Sequence, residues 1–257
     1  MPADRPDRVE KAIASAAHAV IVDLEDGVAP RGKEEARAGL AGLLSEPRRK
    51  PVYVRVNAGD AADLEAVAVL QIAGVVVPKV ARVQDVPATP LPVNCLIESA
   101  AGLESAYEIA RTRGVAGISL GEADLRSETG ALEAGLDWPR ARIVNAAVAA
   151  GLPRPPQSVY PHVRDEEGLA RSCARGRELG HLGRAAIHPA QLSVIEQAYL
   201  PTEAEVERAR ETAERLEAGA VGTIGGGHFV DAAMLGAARQ TLALADAYGT
   251  GAPQQRL

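Results

Sequence analysis

Two short apolar segments of the sequence end in acidic side chains that could together bind a metal ion. One segment, 96–98, ends in Glu98, and the other, 119–124, leads to Asp124. A helix-favouring stretch follows each, which is typical of a β-strand that ends in a loop. Neighbouring parallel strands lie about 4.8 Å apart, so Glu98 and Asp124 would meet at one edge of a sheet and could share a hard cation such as Mg²⁺.

Further charged side chains are expected at the same edge. Asp23, Glu25 and Asp26 follow a β-branched run, and Arg55 comes near the end of the alternating run 52–56. Crowded carboxylates repel one another unless a cation compensates them. The planar guanidinium of Arg55 could do so in a structural ion pair with Asp23 or Glu25, or it could bind a substrate carboxylate with two hydrogen bonds.

Three other motifs suggest different chemistries. Lys79 could form a Schiff base if its pKa were lowered, but the neighbouring acids favour its ammonium form. Residues 117–121 match the G-x-S-x-G pattern of hydrolases, but Ser119 lies inside the apolar run rather than at the turn that such a nucleophile requires. His188 also follows an apolar run, and a lone histidine is more often a hydrogen-bonded structural group.

Apolar runs that predict strands alternate with helical segments along the chain. They lie at 19–27, 51–57, 74–79, 93–98, 117–120, 158–160 and 185–187. This alternation favours a parallel sheet, and a chain of 257 residues is long enough for one (β/α)8 TIM barrel, here assigned to residues 1–218. About seven strands are visible, so the first strand of the barrel is expected to be missing from the N-terminus as given.

Local signals mark several helix boundaries. Pro6 suits the first turn of a helix, Asp137 is expected to N-cap a helix over 139–150, and Thr202 with Glu205 forms a capping box. The glycine-rich stretch 219–227 predicts a mobile linker before the last helix. Residues 219–257 are therefore predicted to be a linker and a C-terminal helical segment that packs on a neighbouring subunit.

Composition and charge exclude several classes of partner. The chain has a formal net charge of -6, so an acidic surface would not attract nucleic acid or an anionic membrane. Cys95 and Cys173 are far apart and form no C-x-x-C motif, which argues against a disulfide scaffold or a cysteine zinc site. No signal-peptide pattern and no apolar run of about 18 residues is present, so a cytoplasmic protein is expected.

Several motifs together resemble the CoA-ester lyase family, that of the citrate lyase beta subunit and its free-standing relatives within the HpcH/HpaI aldolase superfamily. They are P-A-D-R-P-D-R (2–8), D-L-E-D-G-V (23–28), V-R-V-N (54–57), V-P-K (77–79), I-E-S-A (97–100), G-E-A-D-L (121–125), V-Y-P-H-V-R-D-E-E-G-L (159–169), A-I-H-P-A-Q-L (186–192) and P-T-E-A-E-V (201–206). Each motif is weak alone, but their order and spacing are specific and span essentially the whole chain.

The resemblance implies a site as well as a (β/α)8 barrel. Glu98 and Asp124 match the family's Mg²⁺ ligands, Glu98 also contacts substrate, and Arg55 binds the carboxylate of an oxo-acid. Asp231, in a Val-Asp motif of the C-terminal segment, matches an acid that acts in the site of a neighbouring subunit. The resemblance therefore implies a homo-oligomer, a trimer or hexamer, with a shared active site.

The implied reaction cleaves or forms a β-hydroxyacyl-CoA such as malyl-, citramalyl-, citryl- or hydroxymethylglutaryl-CoA, giving an oxo-acid and acetyl- or propionyl-CoA. A citrate lyase beta-type subunit that acts on an acyl carrier protein thioester and a free hydroxy-acid aldolase are the alternatives. Glu25 and Asp26 are assigned to ordering Arg55 or a metal-bound water. The sequence departs from the family at Met1, which predicts a misassigned start, and at His162, where many relatives carry an acid.

Overall fold

Residues 1–219, 221–224 and 227–249 are described by the computed structural model. Their contacts divide the chain into two compact units, Met1–Ile195 and a second unit that begins at Glu196. This division lies earlier than the domain boundary expected between residues 218 and 219. Within the second unit, the helix over Glu203–Glu217 packs on the last helix.

A five-stranded parallel sheet forms the centre of the first unit, with its strands side by side in chain order. The strands are β1 (Val20–Asp23), β2 (Val52–Arg55), β3 (Gly74–Val77), β4 (Val93–Ile97) and β5 (Val115–Leu120). The register places Asp23 beside Arg55 and Ile97 beside Leu120. The residues that follow these strands therefore emerge at one edge of the sheet, as the sequence predicted.

The strands are rich in valine because side chains on both faces of a parallel sheet are covered by helices. All four residues of β3 are buried, and Val22, Val54 and Ile97 have no exposed surface. Small aliphatic side chains fill this interior, in agreement with the low aromatic content of the sequence. The core therefore fixes the strand ends that carry the charged residues.

Helices alternate with the strands and close the faces of the sheet. They are α1 (Pro6–Ala14), α2 (Lys33–Leu44), α3 (Ala61–Ala68), α4 (Ala100–Glu104), α5 (Ala106–Ala110), α6 (Glu122–Thr129), α7 (Asp137–Ala149) and α8 (Glu166–Glu178), followed by α9 (Leu192–Tyr199). Pro6 begins α1 as predicted. The predicted N-cap at Asp137 is wrong: Asp137 is the first residue of α7, and its carboxylate pairs instead with Arg175 at 2.7 Å.

The strands predicted at 158–160 and 185–187 are wrong. In the described residues this region contributes one isolated parallel bridge, between Gln157 and Arg184. The N–H of Gln157 donates to the carbonyl of Gly183 and the N–H of Ala185 to the carbonyl of Gln157, while Pro156 and Pro161 have no N–H group with which to extend the pairing. A closed eight-stranded barrel is therefore not shown, and the fold is established as an α/β structure around a parallel sheet.

The N-terminal residues pair with the free edge of β1. The carbonyl of Met1 accepts the N–H of Asp23 at 2.8 Å, and the N–H of Ala3 donates to the carbonyl of Asp23 at 2.9 Å. Pro2 forms a parallel bridge with Asp23. The chain therefore continues the ladder at the position where a preceding strand was expected to be missing.

The second unit combines two helices with a hairpin. Helix α10 (Glu203–Glu217) packs on α11 (Leu235–Tyr248) through alanines such as Ala209 and Ala238, and the predicted capping box at its start is confirmed. Strands β6 (Gly222–Ile224) and β7 (His228–Val230) are antiparallel. The stretch 219–227, predicted to be a linker, therefore contains β6, while its residues 220, 225 and 226 lie outside the described residues. Its mobility stays a prediction.

Helix length and hydropathy also bear on membrane association. Within the described ranges, no helix is both long enough and apolar enough to traverse a lipid bilayer.

Candidate active site

The charged side chains predicted at the strand ends lie together at the carboxyl edge of the sheet. Asp23 and Arg55 are the last residues of β1 and β2, and Glu98 directly follows β4. Asp23, Glu25 and Glu98 are only 7%, 3% and 8% exposed. Buried carboxylates require cationic or hydrogen-bonding partners, so the contacts of these three define the site.

Arg55 lies between two of the acids. Its Nε and Nη2 atoms donate to the two carboxylate oxygens of Asp23 at 2.7 Å and 2.6 Å, and Nη1 lies 2.9 Å from Oε2 of Glu25. The structural ion pair that the sequence left open is therefore formed. Arg55 keeps 24% of its side chain exposed, and a guanidinium carries five N–H groups, more than these three contacts use.

Asp23 is held as a carboxylate by its surroundings. Burial pushes the pKa of Asp23 upward, but hydrogen bonds from Arg55 and from the backbone N–H groups of Glu25 and Gly27 outweigh burial and lower this pKa below its usual value. A Cβ atom at Gly27 would lie 2.4 Å from the Asp23 carboxylate, so this close approach requires glycine. The D-L-E-D-G motif thus fixes an anion beside Arg55.

Glu25 connects Arg55 to Lys79. Its Oε1 atom lies 2.7 Å from the Nζ atom of Lys79, while its Oε2 atom faces Arg55. The contacts are ion pairs rather than well-aligned hydrogen bonds, since neither Glu25 oxygen has a partner of regular hydrogen-bond geometry. Asp26, the other acid assigned to this group, is 66% exposed and lies 3.9 Å from Lys79 Nζ, so it sits outside the buried cluster.

Glu98 is the acid with the most perturbed pKa at this edge. Burial, followed by the charges of Glu25 and Asp124, raises the pKa of Glu98 to about 7. Its Oε2 atom accepts the backbone N–H of Lys79 at 3.1 Å. On the other side is Gly121, where a Cβ atom would lie 2.6 Å from Oε1 of Glu98, so the side chain is confined between two backbone segments.

Asp124 lies in the first turn of α6 and is exposed. The backbone N–H of Gly121 donates to the carbonyl of Ile97 at 2.9 Å, which places the start of α6 beside Glu98. The charge of Asp124 is near enough to raise the pKa of Glu98. Its pairing with Glu98 as a metal ligand stays a prediction. Among the described residues, no group of three or more His, Cys, Asp or Glu side chains could hold a metal ion, so two carboxylates are what this pair offers.

A buried salt bridge anchors the segment that carries Asp124. Arg140 on α7 is 3% exposed and donates from Nε and Nη2 to the two carboxylate oxygens of Glu122 at 2.9 Å and 2.6 Å. Its Nη1 atom also donates to Glu133 at 2.8 Å. Sequence reasoning missed this pair because Arg140 and Glu122 are 18 residues apart and no local periodicity connects them.

A cleft of about 530 Å³ opens beside this group. It is lined by the residues that follow β2 and β3, among them Asn57, Lys79 and Arg82, together with apolar side chains such as Leu64 and Val77. Its wall is shared with the active-site edge through Lys79. A substrate that reaches Glu98 therefore has room to extend along the loops after these two strands.

The competing chemistries find no support in the local structure. Ser119 lies within β5, as expected, rather than at a turn. Contact with Glu25 raises the pKa of Lys79, which opposes the neutral amine that a Schiff base requires. The ring of His188 accepts the N–H of Ala190 and so caps a turn. Burial raises the pKa of the Cys95 thiol to about 12, which keeps this side chain in its neutral thiol form.

Asp231 belongs to the second unit. Its Oδ1 atom accepts the N–H of Ala233 at 3.0 Å, so the side chain caps the turn between β7 and α11. Its assignment to a neighbouring subunit's site stays a prediction.

Comparison with known proteins places the chain among enzymes of related chemistry. The family model described as HpcH/HpaI aldolase/citrate lyase matches residues 1–189. A (3S)-malyl-CoA thioesterase of Cereibacter sphaeroides is 36% identical over 96% of this chain and 93% of the relative, and an L-malyl-CoA/beta-methylmalyl-CoA lyase of the same species is 30% identical over 91% and 89%. The crystal structure of CitE from Mycobacterium tuberculosis with magnesium, acetoacetate and coenzyme A matches with a TM-score of 0.82, at 32% identity and 96% coverage of both chains.

Proposed function

The chain belongs to the HpcH/HpaI aldolase/citrate lyase family, and on this premise we propose that it is a Mg²⁺-dependent carbon–carbon lyase acting on a β-hydroxyacyl-CoA. The observation that carries the proposal is the convergence of Glu98, Asp124 and Arg55 at one edge of the sheet. Two carboxylates can bind a hard cation, and a guanidinium can bind a carboxylate. An oxo-acid product requires both, because it carries a carbonyl group and a carboxylate. The relatives named as a lyase and as CitE with magnesium and coenzyme A support this assignment.

The residues at Glu98 and Asp124 fit Mg²⁺. Burial, followed by the charges of Glu25 and Asp124, raises the pKa of Glu98 to about 7, and these outweigh the Lys79 N–H and the charge of Arg55. A divalent cation would relieve this repulsion, and Mg²⁺ is commonly held by one or two carboxylates, with water and substrate completing its octahedron. When bound, Mg²⁺ would polarise the carbonyl group that develops on the oxo-acid.

The remaining residues bind and orient the substrate. Arg55, fixed by Asp23 on one side and Glu25 on the other, would present its exposed N–H groups to the carboxylate of the oxo-acid half. Cleavage transfers the hydroxyl proton to a base, breaks the bond between the carbinol carbon and the thioester α-carbon, and returns a proton to that α-carbon. Asp231 of a neighbouring subunit is the proposed acid at this carbon, while Glu25 keeps Arg55 in place.

The reaction can be tested with malyl-, citramalyl-, citryl- and hydroxymethylglutaryl-CoA in the presence of Mg²⁺. The expected products are an oxo-acid, trapped as its phenylhydrazone, and acetyl-CoA, separated by chromatography. Chelation of the metal should stop the reaction and added Mg²⁺ should restore it. If none of these thioesters reacts, and a carrier protein thioester or a free hydroxy-acid is cleaved instead, the CoA-ester proposal is wrong.

A second candidate is hydrolysis of the same thioester, because a relative that is 36% identical is named as a malyl-CoA thioesterase. Hydrolysis and carbon–carbon cleavage of malyl-CoA are distinguished by their products. Hydrolysis gives malate and free CoA, whose thiol reacts with a chromogenic disulfide, whereas cleavage gives glyoxylate and acetyl-CoA, which carries no free thiol. The same incubation therefore decides between the two.

A shared active site predicts complementation between inactive variants. Asp231→Ala and Asp124→Ala should each be inactive, because each removes one half of every site. Mixed by co-refolding or co-expression, they should recover about a quarter of the wild-type activity, since random pairing in a symmetric ring gives that fraction of intact sites. Mixing of Asp124→Ala with Glu98→Ala, which damage the same half, is the matched control and should recover none. Equal recovery in both mixtures, or none in either, would refute the shared site.

A further inference from the structure

Lys79 has an unusual backbone conformation at the edge of the candidate site. It follows Pro78 at the end of β3, and its φ angle of 59° makes it the one non-glycine residue of positive φ in the described part of the chain. An L-amino acid with a side chain adopts this left-handed conformation at an energetic cost. Such strain persists only where the surrounding structure holds it in place, and it is concentrated at functional sites.

Both ends of Lys79 contact acids of the site. Its backbone N–H donates to Oε2 of Glu98 at 3.1 Å, and its Nζ atom lies 2.7 Å from Oε1 of Glu25. The two carboxylates come from different strand ends, after β1 and after β4. One residue therefore connects the proposed metal-binding side of the site to the Arg55 side.

The backbone contact restricts the orientation of Glu98. One carboxylate oxygen is occupied by the Lys79 N–H, and the other faces Gly121, where even a Cβ atom would collide with it. The N–H lies in the peptide plane between Pro78 and Lys79, and the chain is held again just after it, where the N–H of Val80 donates to the carbonyl of Leu96 at 3.2 Å. The left-handed φ of Lys79 joins these two fixed points while the peptide plane keeps its N–H on Glu98. Without this turn the buried side chain of Glu98 would lose its one backbone donor.

The contact between the Lys79 ammonium group and Glu25 acts on the side of the site that contains Arg55. Glu25 is buried and has two cationic neighbours, Lys79 and Arg55. If the ammonium group were absent, Arg55 alone would compensate the Glu25 charge and would be drawn away from any bound carboxylate. Lys79 thereby leaves Arg55 free for the substrate.

We propose that Lys79 is a positioning residue with two separable actions: its left-handed backbone orients Glu98 for the cation, and its ammonium group, by pairing with Glu25, keeps Arg55 available for the oxo-acid. The proposal rests on the function proposed above. It assigns to Lys79 no covalent step, because the amine is paired with Glu25 rather than presented as a free nucleophile.

Substitutions that treat the backbone and the side chain differently test these actions. Lys79→Gly removes the ammonium group and favours the left-handed backbone, whereas Lys79→Val removes the ammonium group and disfavours that backbone strongly. Cation binding is measured by titration of the full chain with Mn²⁺, a paramagnetic probe for the Mg²⁺ site, by electron paramagnetic resonance. Binding of pyruvate as a simple oxo-acid is measured by calorimetry at saturating Mg²⁺.

The two variants should differ in cation binding and agree in oxo-acid binding. We expect Lys79→Gly to bind Mn²⁺ within about twofold of the wild type, and Lys79→Val to bind it about tenfold more weakly, the range typical of an outer-sphere contact. Both should bind pyruvate about tenfold more weakly, because both lose the partner of Glu25. Lys50→Met is the matched control. Lys50 precedes β2, at the end opposite to the site, and its Nζ atom donates to the backbone carbonyls of Ser15 and Ala17. The affinities of this variant for Mn²⁺ and for pyruvate should be unchanged.

The outcomes separate this proposal from the proposed function. Absence of Mn²⁺ binding in the wild type would overturn the metal site itself and the Lys79 proposal with it. If the wild type binds Mn²⁺ but Lys79→Gly and Lys79→Val bind it with equal affinity, the backbone action alone is overturned. If both variants bind pyruvate as tightly as the wild type, the ammonium action is overturned. If Lys79→Val does not fold, Lys79→Ala takes its place, and its Mn²⁺ affinity should fall below that of Lys79→Gly.

Discussion

Replacement of Asp124 by alanine is expected to lower the affinity for Mg²⁺ by more than about 100-fold and to abolish metal-dependent turnover, because loss of a direct ligand exceeds the effect of an outer-sphere contact. The proposed site uses two carboxylates, so Glu98 alone would retain one protein bond to the cation. Asp124 is exposed in the first turn of α6, so the free energy of unfolding should change by no more than about 0.5 kcal/mol.

The measurement combines Mn²⁺ titration, turnover of the thioester identified in the panel, and thermal unfolding. Glu65→Ala is the control, since it removes an exposed carboxylate of the same charge from α3, away from the strand ends. It should leave all three quantities unchanged. Full activity of Asp124→Ala at ordinary Mg²⁺ concentrations would refute the metal assignment.

Replacement of Arg55 by methionine should have the largest combined effect on activity and stability. The variant loses the group proposed to bind the substrate carboxylate and leaves Asp23 and Glu25 buried with less compensating charge. Removal of one partner from a buried ion pair typically costs about 3 kcal/mol or more, and we expect a loss of that order in the free energy of unfolding at neutral pH. Turnover should fall below detection even in the folded fraction.

The stability loss should depend on pH in a defined direction. In the wild type the pKa of Asp23 is below its usual value, so its ionisation stabilises the fold above about pH 4, and this stabilisation is lost as the pH falls through the lowered pKa. In Arg55→Met, burial remains while the cation is gone, so the pKa of Asp23 should rise and its ionisation should destabilise the fold. The difference in free energy of unfolding between wild type and variant should therefore shrink as the pH is lowered from 7 toward 4.

Arg37→Met is the matched control for this experiment. Arg37 is 23% exposed, close to the 24% of Arg55, and it donates to the buried Asp63 at 2.6 Å and to Asp60 at 2.8 Å. Its loss should destabilise the fold to a similar degree while the folded protein still turns over substrate. Similar activity in the two variants would show that Arg55 is a structural ion pair with no role in substrate binding.

The location of the site could be predicted from the sequence because it follows from local rules. Two apolar runs predict strands, one ending in Glu98 and the other leading to Asp124. Parallel strands in chain order bring such strand ends to one edge of the sheet. The same reasoning placed Asp23, Glu25 and Arg55 there. The family resemblance, which the comparisons confirm, added the reaction class and the metal.

Contacts between distant segments could not be predicted in the same way. Strand counting predicts a closed barrel, but the region of the last two predicted strands contributes one isolated bridge in the described residues, between Gln157 and Arg184. The antiparallel pairing of β6 with β7 likewise has no signal in the sequence spacing. The salt bridge of Arg140 with Glu122 depends on how α7 packs beside α6, and no pattern in the sequence records that distance.

The sequence by itself determined which charges lie at the edge of the sheet, because the strand periodicity and the order of the strands fix the positions of their ends. The tertiary structure alone decided how those charges are paired: Arg55 with Asp23 and Glu25, and Lys79 with Glu25 and, through its backbone, Glu98. The physical reason is that pairing depends on distances of a few ångströms and on one left-handed backbone angle. Both are set by packing, which sequence spacing does not encode.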